Sequence, residues 1–387
     1  MKRLVSIMLI CVLVLSACGK QETEGEGEKD LQMKETVEPY QVKEMPLPDP
    51  LILDNSDGSD YIGNTFSGFV ADLEEKPGIY YSNFSFEAEE YVATISRWSL
   101  DEEGNWLSEE LCENSLSEFL NQKYEQLEWQ RCKVENFRRG DNGSLYAVFT
   151  YYMKETKVVE GEDTDMIRQK YSILEIDEEN DHIFEVPLEI GPAALNAIGY
   201  EWEPAVDWLG DYHIFEDGSI FILSTDSGGG YGYLVDGETG QVIDEVGNVV
   251  TGKRKFAFGE SEIIFYSNEK KRFQVLSFPE LEEQNTFGSE LDDSVLGKEW
   301  SFYVNSDTWQ VYLCNKSGLY RAAGYQNSDE VEWLTERTDM SEVEQADSEI
   351  LDLFVGADED FYICMMEATE EFGQVLKGYR IVHFFKE

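Results

Sequence analysis

Histidine is nearly missing from this chain, with only His182, His213 and His383 among 387 residues. Proline is scarce, nine residues against 31 glycines, and basic residues are few, 30 Lys and Arg against 80 Asp and Glu. Each shortage closes off some chemistry. No His-Glu-x-x-His zinc motif can be built. None of the six cysteines stands in a Cys-x-x-Cys or Cys/His metal pattern. The formal net charge of −50 repels phosphate backbones, which excludes nucleic acid as a partner and keeps the chain away from an anionic membrane surface. Such acidity also favours solubility.

The N-terminus is the most specific part. Met1-Lys2-Arg3 is followed by an apolar run, Leu4 to Leu15. A basic start and a short apolar stretch make a secretory signal, and the run is shorter than the ~20 residues a membrane-spanning helix needs. Leu15-Ser16-Ala17-Cys18, with Gly19 after it, resembles the lipobox of bacterial lipoproteins. The resemblance implies cleavage before Cys18, a lipid on its thiol, and a location on the outer face of the cell membrane. Residues 1–17 are then the signal peptide. The stretch after Cys18 is acidic, contains glycine and has no large apolar side chain up to Asp30, so it cannot offset its chain entropy by burial. Pro46-Leu47-Pro48-Asp49-Pro50 closes it as a stiffer spacer. Residues 18–50 are therefore expected to be a disordered tether, and residues 51–387 the folded extracellular domain.

That domain is rich in strand formers. Tyr (21), Phe (22) and Trp (8) are plentiful, and glycine suits tight turns. One unit recurs: apolar strand, polar turn, second apolar strand, then one or two more. Its clearest copy runs from Asp211-Tyr212-His213-Ile214 through Asp217-Gly218 and Ile220-Phe221-Ile222-Leu223 to Tyr231-Gly232-Tyr233-Leu234-Val235 and Val242-Ile243. Similar second strands start at Leu145, Ile263, Trp309 and Phe361; from Ile220 onward the starts fall 43, 46 and 52 residues apart. Blades of β-propellers have four strands and about this spacing. The expected fold is all-β, a β-propeller of roughly five to seven four-stranded blades, with a β-sandwich as the alternative. An early strand, near Ile52 or Ile79, is expected to complete the last blade. A long hairpin is expected with its tip near Glu160–Asp163. One helix is expected over 115–129, from the capping-box spacing of Ser115 and Glu118 and an apolar face of Leu116, Phe119, Leu120 and Leu127.

Motifs for chemistry are few. Asp226-Ser227-Gly228-Gly229 resembles part of the nucleophile segment of chymotrypsin-like proteases, but Thr225 replaces that family's preceding glycine and its histidine motif is missing. It reads as a glycine-rich hairpin. Ser99 to Trp106 resembles the Asp-box hairpin of sialidases, with the glycine one place late; such a box marks a structural turn. Asp54-Asn55-Ser56-Asp57-Gly58-Ser59-Asp60 has oxygen ligands for Ca²⁺, yet neither the glycine nor a bidentate Glu stands where a calcium loop needs it. The segment reads as a turn, with a Ca²⁺ site as the alternative; no other cofactor or metal is expected, and no catalytic residue is assigned. The eight tryptophans could line a groove, but large aromatics more often fill cores. With Cys11 and Cys18 set aside, Cys112, Cys132, Cys314 and Cys364 are expected as buried thiols; a Cys112–Cys132 bridge stays open.

Two basic islands interrupt the acid, Lys253-Arg254-Lys255 and Lys270-Lys271-Arg272, on either side of an expected hairpin. They are solvated turns or a partner-docking patch. The body resembles the propeller-type domains of Firmicutes surface lipoproteins, in blade patterning over residues 51–387. The resemblance implies a non-catalytic binding or interaction module for a protein partner or glycan. Alternatives are a carbohydrate-active hydrolase on a propeller scaffold and an accessory or structural component of an envelope or transport complex.

Overall fold

In the computed structural model of the chain, the described residues are 34–35, 40–45, 53–54, 68–71, 76–87, 90–123, 133–159, 162–178, 180–188, 209–225, 230–246, 251–259, 262–267, 272–278, 280–287, 300–305, 310–322, 331–333, 348–356, 359–371 and 374–386. Three short strands come first: β1 (Lys34–Glu35), β2 (Gln41–Met45) and β3 (Leu53–Asp54). Blade 1 is β4 (Phe69–Ala71), β5 (Pro77–Glu87), β6 (Glu90–Leu100) and β7 (Trp106–Leu111), followed by the helix α1 (Glu113–Lys123). Blade 2 is β8 (Lys133–Arg139), β9 (Leu145–Val159), β10 (Glu162–Asp177) and β11 (His182–Pro187). Blade 3 is β12 (Leu209–Ile214), β13 (Ile220–Thr225), β14 (Gly230–Val235) and β15 (Val242–Val246). Blade 4 is β16 (Thr251–Phe258), β17 (Glu262–Ser267), β18 (Arg272–Ser277) and β19 (Glu283–Phe287). Blade 5 is β20 (Trp300–Val304), β21 (Val311–Asn315), β22 (Gly318–Ala322) and β23 (Val331–Trp333). Blade 6 is β24 (Ser348–Val355), β25 (Phe361–Glu371) and β26 (Gln374–Phe385), completed by β2.

Each blade is an antiparallel meander, and the first strands β4, β8, β12, β16, β20 and β24 touch one another in order and back to β4. The chain is a six-bladed β-propeller, not a β-sandwich. Strand period explains how the blades pack. Ile220 to Leu223 of β13 are all buried, and successive side chains point to opposite sheet faces. Ile220 and Ile222 pack with Tyr146, Val148 and Ile173 of blade 2, while Phe221 and Leu223 pack with Phe256, Ile263 and Phe265 of blade 4. A continuous apolar run is therefore what a blade between two blades requires. Each such side chain, fully buried, contributes roughly 1.5–3 kcal/mol.

Closure comes from an unexpected place. β2 pairs antiparallel with β26, from Gln41 opposite Phe385 to Met45 opposite Ile381, and Met45 enters the apolar core shared by blades 6 and 1. Residues 41–45 thus lie inside the stretch whose composition reads as tether. Their sequence, Gln-Val-Lys-Glu-Met, is too polar to announce a strand, and the pairing comes from the far end of the chain. Ile79 belongs to blade 1, and next to Ile52, β3 adds a short pairing with Leu376 and Lys377 of β26.

The helix also differs from expectation. It begins at Glu113, after Cys112, whose φ of 53° turns the chain, and the Leu116 N–H donates to the Cys112 carbonyl at 3.2 Å. Ser115 and Glu118 are therefore inside the helix, not a capping box at its start. Ser117 instead bridges to β6, its Oγ accepting from the Ala93 N–H at 3.0 Å. Leu116 and Leu120 are fully buried in the core between blades 1 and 2. Residues 124–132, the rest of the expected helix, lie outside the described residues.

Candidate functional site

Antiparallel alternation sorts the connections onto two faces of the ring. Turns between first and second strands and between third and fourth strands share one face, called here the turn face. The other connections share the opposite, loop face.

The turn face is built from short loops closed by their own side chains. In Asp101–Asn105, the Asp101 carboxylate accepts from the N–H groups of Glu103 and Asn105, both at 2.8 Å, which holds its pKa below the usual value. This is the hairpin that resembles an Asp box, and it is structural. Asp217 accepts from Ser219 and Asp236 from Thr239 in the same way, with the same lowering.

Between blades 1 and 2 a larger cluster forms. Tyr80 on β5 and Arg97 on β6 are cross-strand partners. Glu178, in the turn after β10, faces both, with Arg97 Nη1 at 3.3 Å and the Tyr80 hydroxyl at 3.4 Å. Arg139 of β8 donates to Glu178 at 2.9 Å and to Tyr80 at 3.0 Å, and Arg97 also pairs with Glu109. Burial and then Glu178 raise the Tyr80 pKa, so the hydroxyl stays protonated.

The junction between blades 5 and 6 repeats the design. Tyr312 on β21 and Arg321 on β22 are cross-strand partners, and both donate to Glu359 Oε1, at 2.8 and 2.7 Å. Lys386 donates to Glu359 Oε2 at 2.8 Å and lies 5.3 Å from the ring centre of Tyr40, next to the closing strand. Burial pushes the Glu359 pKa up, but the Lys386 and Tyr312 hydrogen bonds and the nearby cations outweigh it, and the net shift is down.

Deeper in, two aspartates tie the first strands. Asp211 of β12 accepts from the Phe256 N–H of blade 4 at 3.2 Å and meets Arg138 of blade 2 at 2.5 Å. Asp352 of β24 accepts from the Phe69 N–H of blade 1 at 2.8 Å. Gly68, at φ 124°, permits that approach, because a Cβ there would lie 2.9 Å from Asp352 Oδ2. Both aspartates follow irregularities in their pairing with the second strand.

Other reactive groups are quiet. Cys112, Cys314 and Cys364 are free and buried; burial raises all three thiol pKa values, Cys112 to about 11. They are poor nucleophiles at neutral pH. His383, stacked on Tyr362 and 3.1 Å from Asp360, has its pKa lowered by burial against the pull of that carboxylate. His213 lies 3.0 Å from Asp141 of the neighbouring blade. Among the described residues no group of three or more His, Cys, Asp or Glu is arranged to hold a metal ion. No helix among them is long and apolar enough to cross a membrane.

The residues singled out in the sequence fall elsewhere. Lys253, Arg254 and Lys255 lie on β16, and Arg272 opens β18. Thr251 pairs with Ser267 and Ser267 with Arg272, so Lys253–Lys255 and Arg272 belong to the loop-face end of blade 4. Lys270 and Lys271 lie outside the described residues, as do Cys18, Cys132, Asp226–Gly229 and Asn55–Asp60. Trp98, Trp106 and Trp300 are core residues. The polar clusters had no signal in the sequence: Tyr80 and Arg97 are 17 residues apart and Tyr312 and Arg321 nine, and their carboxylates come from differently placed turns.

No family model and no curated protein matches this chain. Solved structures resemble it in outline. BamB from Moraxella catarrhalis matches over 89% of this chain and 94% of its own, at 11% identity and a TM-score of 0.35. A putative 6-phosphogluconolactonase from Bacteroides uniformis matches over 87% and 100%, at 13% identity and a TM-score of 0.37. The PQQ-bound aldose sugar dehydrogenase from Streptomyces coelicolor matches over 87% and 99%, at 10% identity and a TM-score of 0.37. None of these likenesses carries a residue-by-residue correspondence, and the class of the chain rests on its own ring of six blades.

Proposed function

We propose that this chain is a lipoprotein, of the kind found on Firmicutes surfaces, held at the outer face of the cell membrane by a lipid on Cys18. Its propeller is a non-catalytic module that binds a protein partner, with a glycan as the alternative ligand, and works without a cofactor. The observation that carries the reading is how the turn-face carboxylates are used. Glu178 and Glu359 are each taken up by cationic and tyrosine donors that join two blades. Asp101, Asp217 and Asp236 are taken up by backbone N–H groups. A hydrolase needs one carboxyl kept protonated and another free to attack or activate water; these carboxylates serve architecture.

Lys253, Arg254, Lys255 and Arg272, at the loop-face end of blade 4, supply positive charge in a strongly acidic chain and are proposed as docking residues, together with Lys270 and Lys271. Changing Lys253, Arg254 and Lys255 to Glu and crosslinking on intact cells tests this: docking there predicts loss of the crosslinked partner, and an unchanged pattern removes these residues from the interface. Binding itself is read by thermal shift, because a ligand at about 100 times its dissociation constant adds about 2.7 kcal/mol of stability. Turnover of an extracellular glycan by the purified chain would overturn the non-catalytic reading. For the anchor, Cys18→Ser is expected to move the protein from the membrane to the soluble fraction.

A further inference from the structure

Four of the five large apolar side chains that stand exposed among the described residues lie on one arc of the rim. Leu107 is on β7, Phe184 on β11, and Val242 and Ile243 on β15, with Phe184 51% and Ile243 59% exposed. These are the outermost strands of three consecutive blades, each paired on one side only within its sheet. Each residue falls in the first three positions after the turn between third and fourth strands, so all lie towards the turn face. The pairing of β15 with β14 shifts register at Ile243, and such a bulge re-aims a side chain. On the outer strands of blades 4 and 6 the exposed residues at this end are polar: Glu283, Gln284 and Asn285 on β19, and Gln41, Lys43 and Glu44 on β2.

Single exposed apolar residues are ordinary on a protein surface. Repetition at one depth on three neighbouring blades, with polar counterparts on blades 4 and 6, is not what scatter gives. We infer that the outer rim of blades 1 to 3 is the docking surface for a partner protein whose contact face carries apolar side chains bordered by Lys and Arg. Charge selects that partner: exposed Glu110, Asp181, Glu238 and Asp244 stand beside the apolar residues. The net charge of −50 opposes a second copy of this chain and an anionic bilayer. Apolar contacts provide the burial, and flanking cations provide steering and register.

This inference rests on the reading of the chain as a binding module and gives that module a second surface, apart from the basic residues of blade 4. The test uses the purified full chain and a labelled amphipathic helical peptide with Leu along one face and Lys beside it. Two control peptides replace Leu by Ser or Lys by Glu. The Leu/Lys peptide is expected to bind, and both controls to bind about ten-fold more weakly or worse. The triple variant Leu107→Ser, Phe184→Ser, Ile243→Ser is expected to lose the same factor; all three sites are exposed, so its folding should be intact, which circular dichroism checks. Changing Gln284 and Asn285 to Ser, on the polar arc, should leave binding unchanged.

Equal binding of the Ser/Lys peptide, or a triple-variant change within about two-fold, would mean charge adhesion alone and overturn the proposal. Stronger binding to neutral phosphatidylcholine vesicles than to the peptide would overturn it in favour of a lipid surface. If the arc fails while changing Lys253, Arg254 and Lys255 to Glu still abolishes crosslinking on cells, the binding-module reading stands and only this surface falls.

Discussion

Asp211 and Asp352 on the inner strands, and Glu178 and Glu359 on the turn face, each carry a carboxylate from one blade to donors of another, but at different depths. The inner pair meets backbone N–H groups in a nearly dry setting. The outer pair meets arginine, lysine and tyrosine side chains that are partly wet. Depth decides the energetics. A buried N–H that loses its acceptor bears a full desolvation cost, whereas a half-exposed ion pair exchanges its partner for water and salt. The outer pair also shows how loosely the source of a charge is specified. Glu178 comes from a turn between third and fourth strands, Glu359 from one between first and second. Each still reaches a Tyr–Arg cross-strand pair of the preceding blade.

The largest effect is expected from Asp211→Ala, which strips an acceptor from the Phe256 and Tyr212 N–H groups and leaves Arg138 without its partner. A loss of about 3 kcal/mol, read from the urea midpoint, is the expectation. A loss equal to that of the outer carboxylates would erase the distinction of depth. Next comes Gly68→Ala, at about 2 kcal/mol, because φ 124° disfavours a side chain and the new Cβ would crowd Asp352.

Glu178→Gln and Glu359→Gln are expected to cost about 1 kcal/mol each, shrinking towards zero in about 1 M salt, while Asp211→Ala keeps its full cost there. A finer test is pH. The Glu359 pKa is lowered in the fold, so its contribution is present above the ordinary carboxylate value and is lost as pH falls through the lowered one. Glu359→Gln should therefore flatten the acid limb of stability against pH, below about 4.3. An unchanged limb would show that the cations do not hold that carboxylate. The smallest change is expected from Asp101→Ala, in a surface turn whose loss should barely move the melting temperature.

Strand runs and turns were legible because they are local. Ile220 to Leu223 must bury both faces, and Asp217-Gly218 must turn, wherever the chain folds. Hence β9, β13 and β25 begin at Leu145, Ile220 and Phe361 as the repeat predicts, and the long hairpin closes at Val159 and Glu162. Helix α1 was half legible: its apolar stripe is real, but its start is set by Cys112, which packs against blade 2 rather than capping through a side-chain oxygen. Residues 41–45 were read as tether because a fourth strand on an outer edge needs few apolar residues of its own; its partner, β26, supplies the backbone pairing.

Composition and local pattern, then, suffice for the class: an acidic, aromatic-rich chain of repeated meanders. The number of blades, the strand that closes the ring, and the partners of Glu178, Glu359, Asp211 and Asp352 depend on contacts between residues hundreds of positions apart, 283 for Phe69 and Asp352 and 344 for Gln41 and Phe385. Such contacts obey geometry and burial, which a linear pattern does not encode. With 80 acidic residues to choose from, only folding could select those that tie blades together.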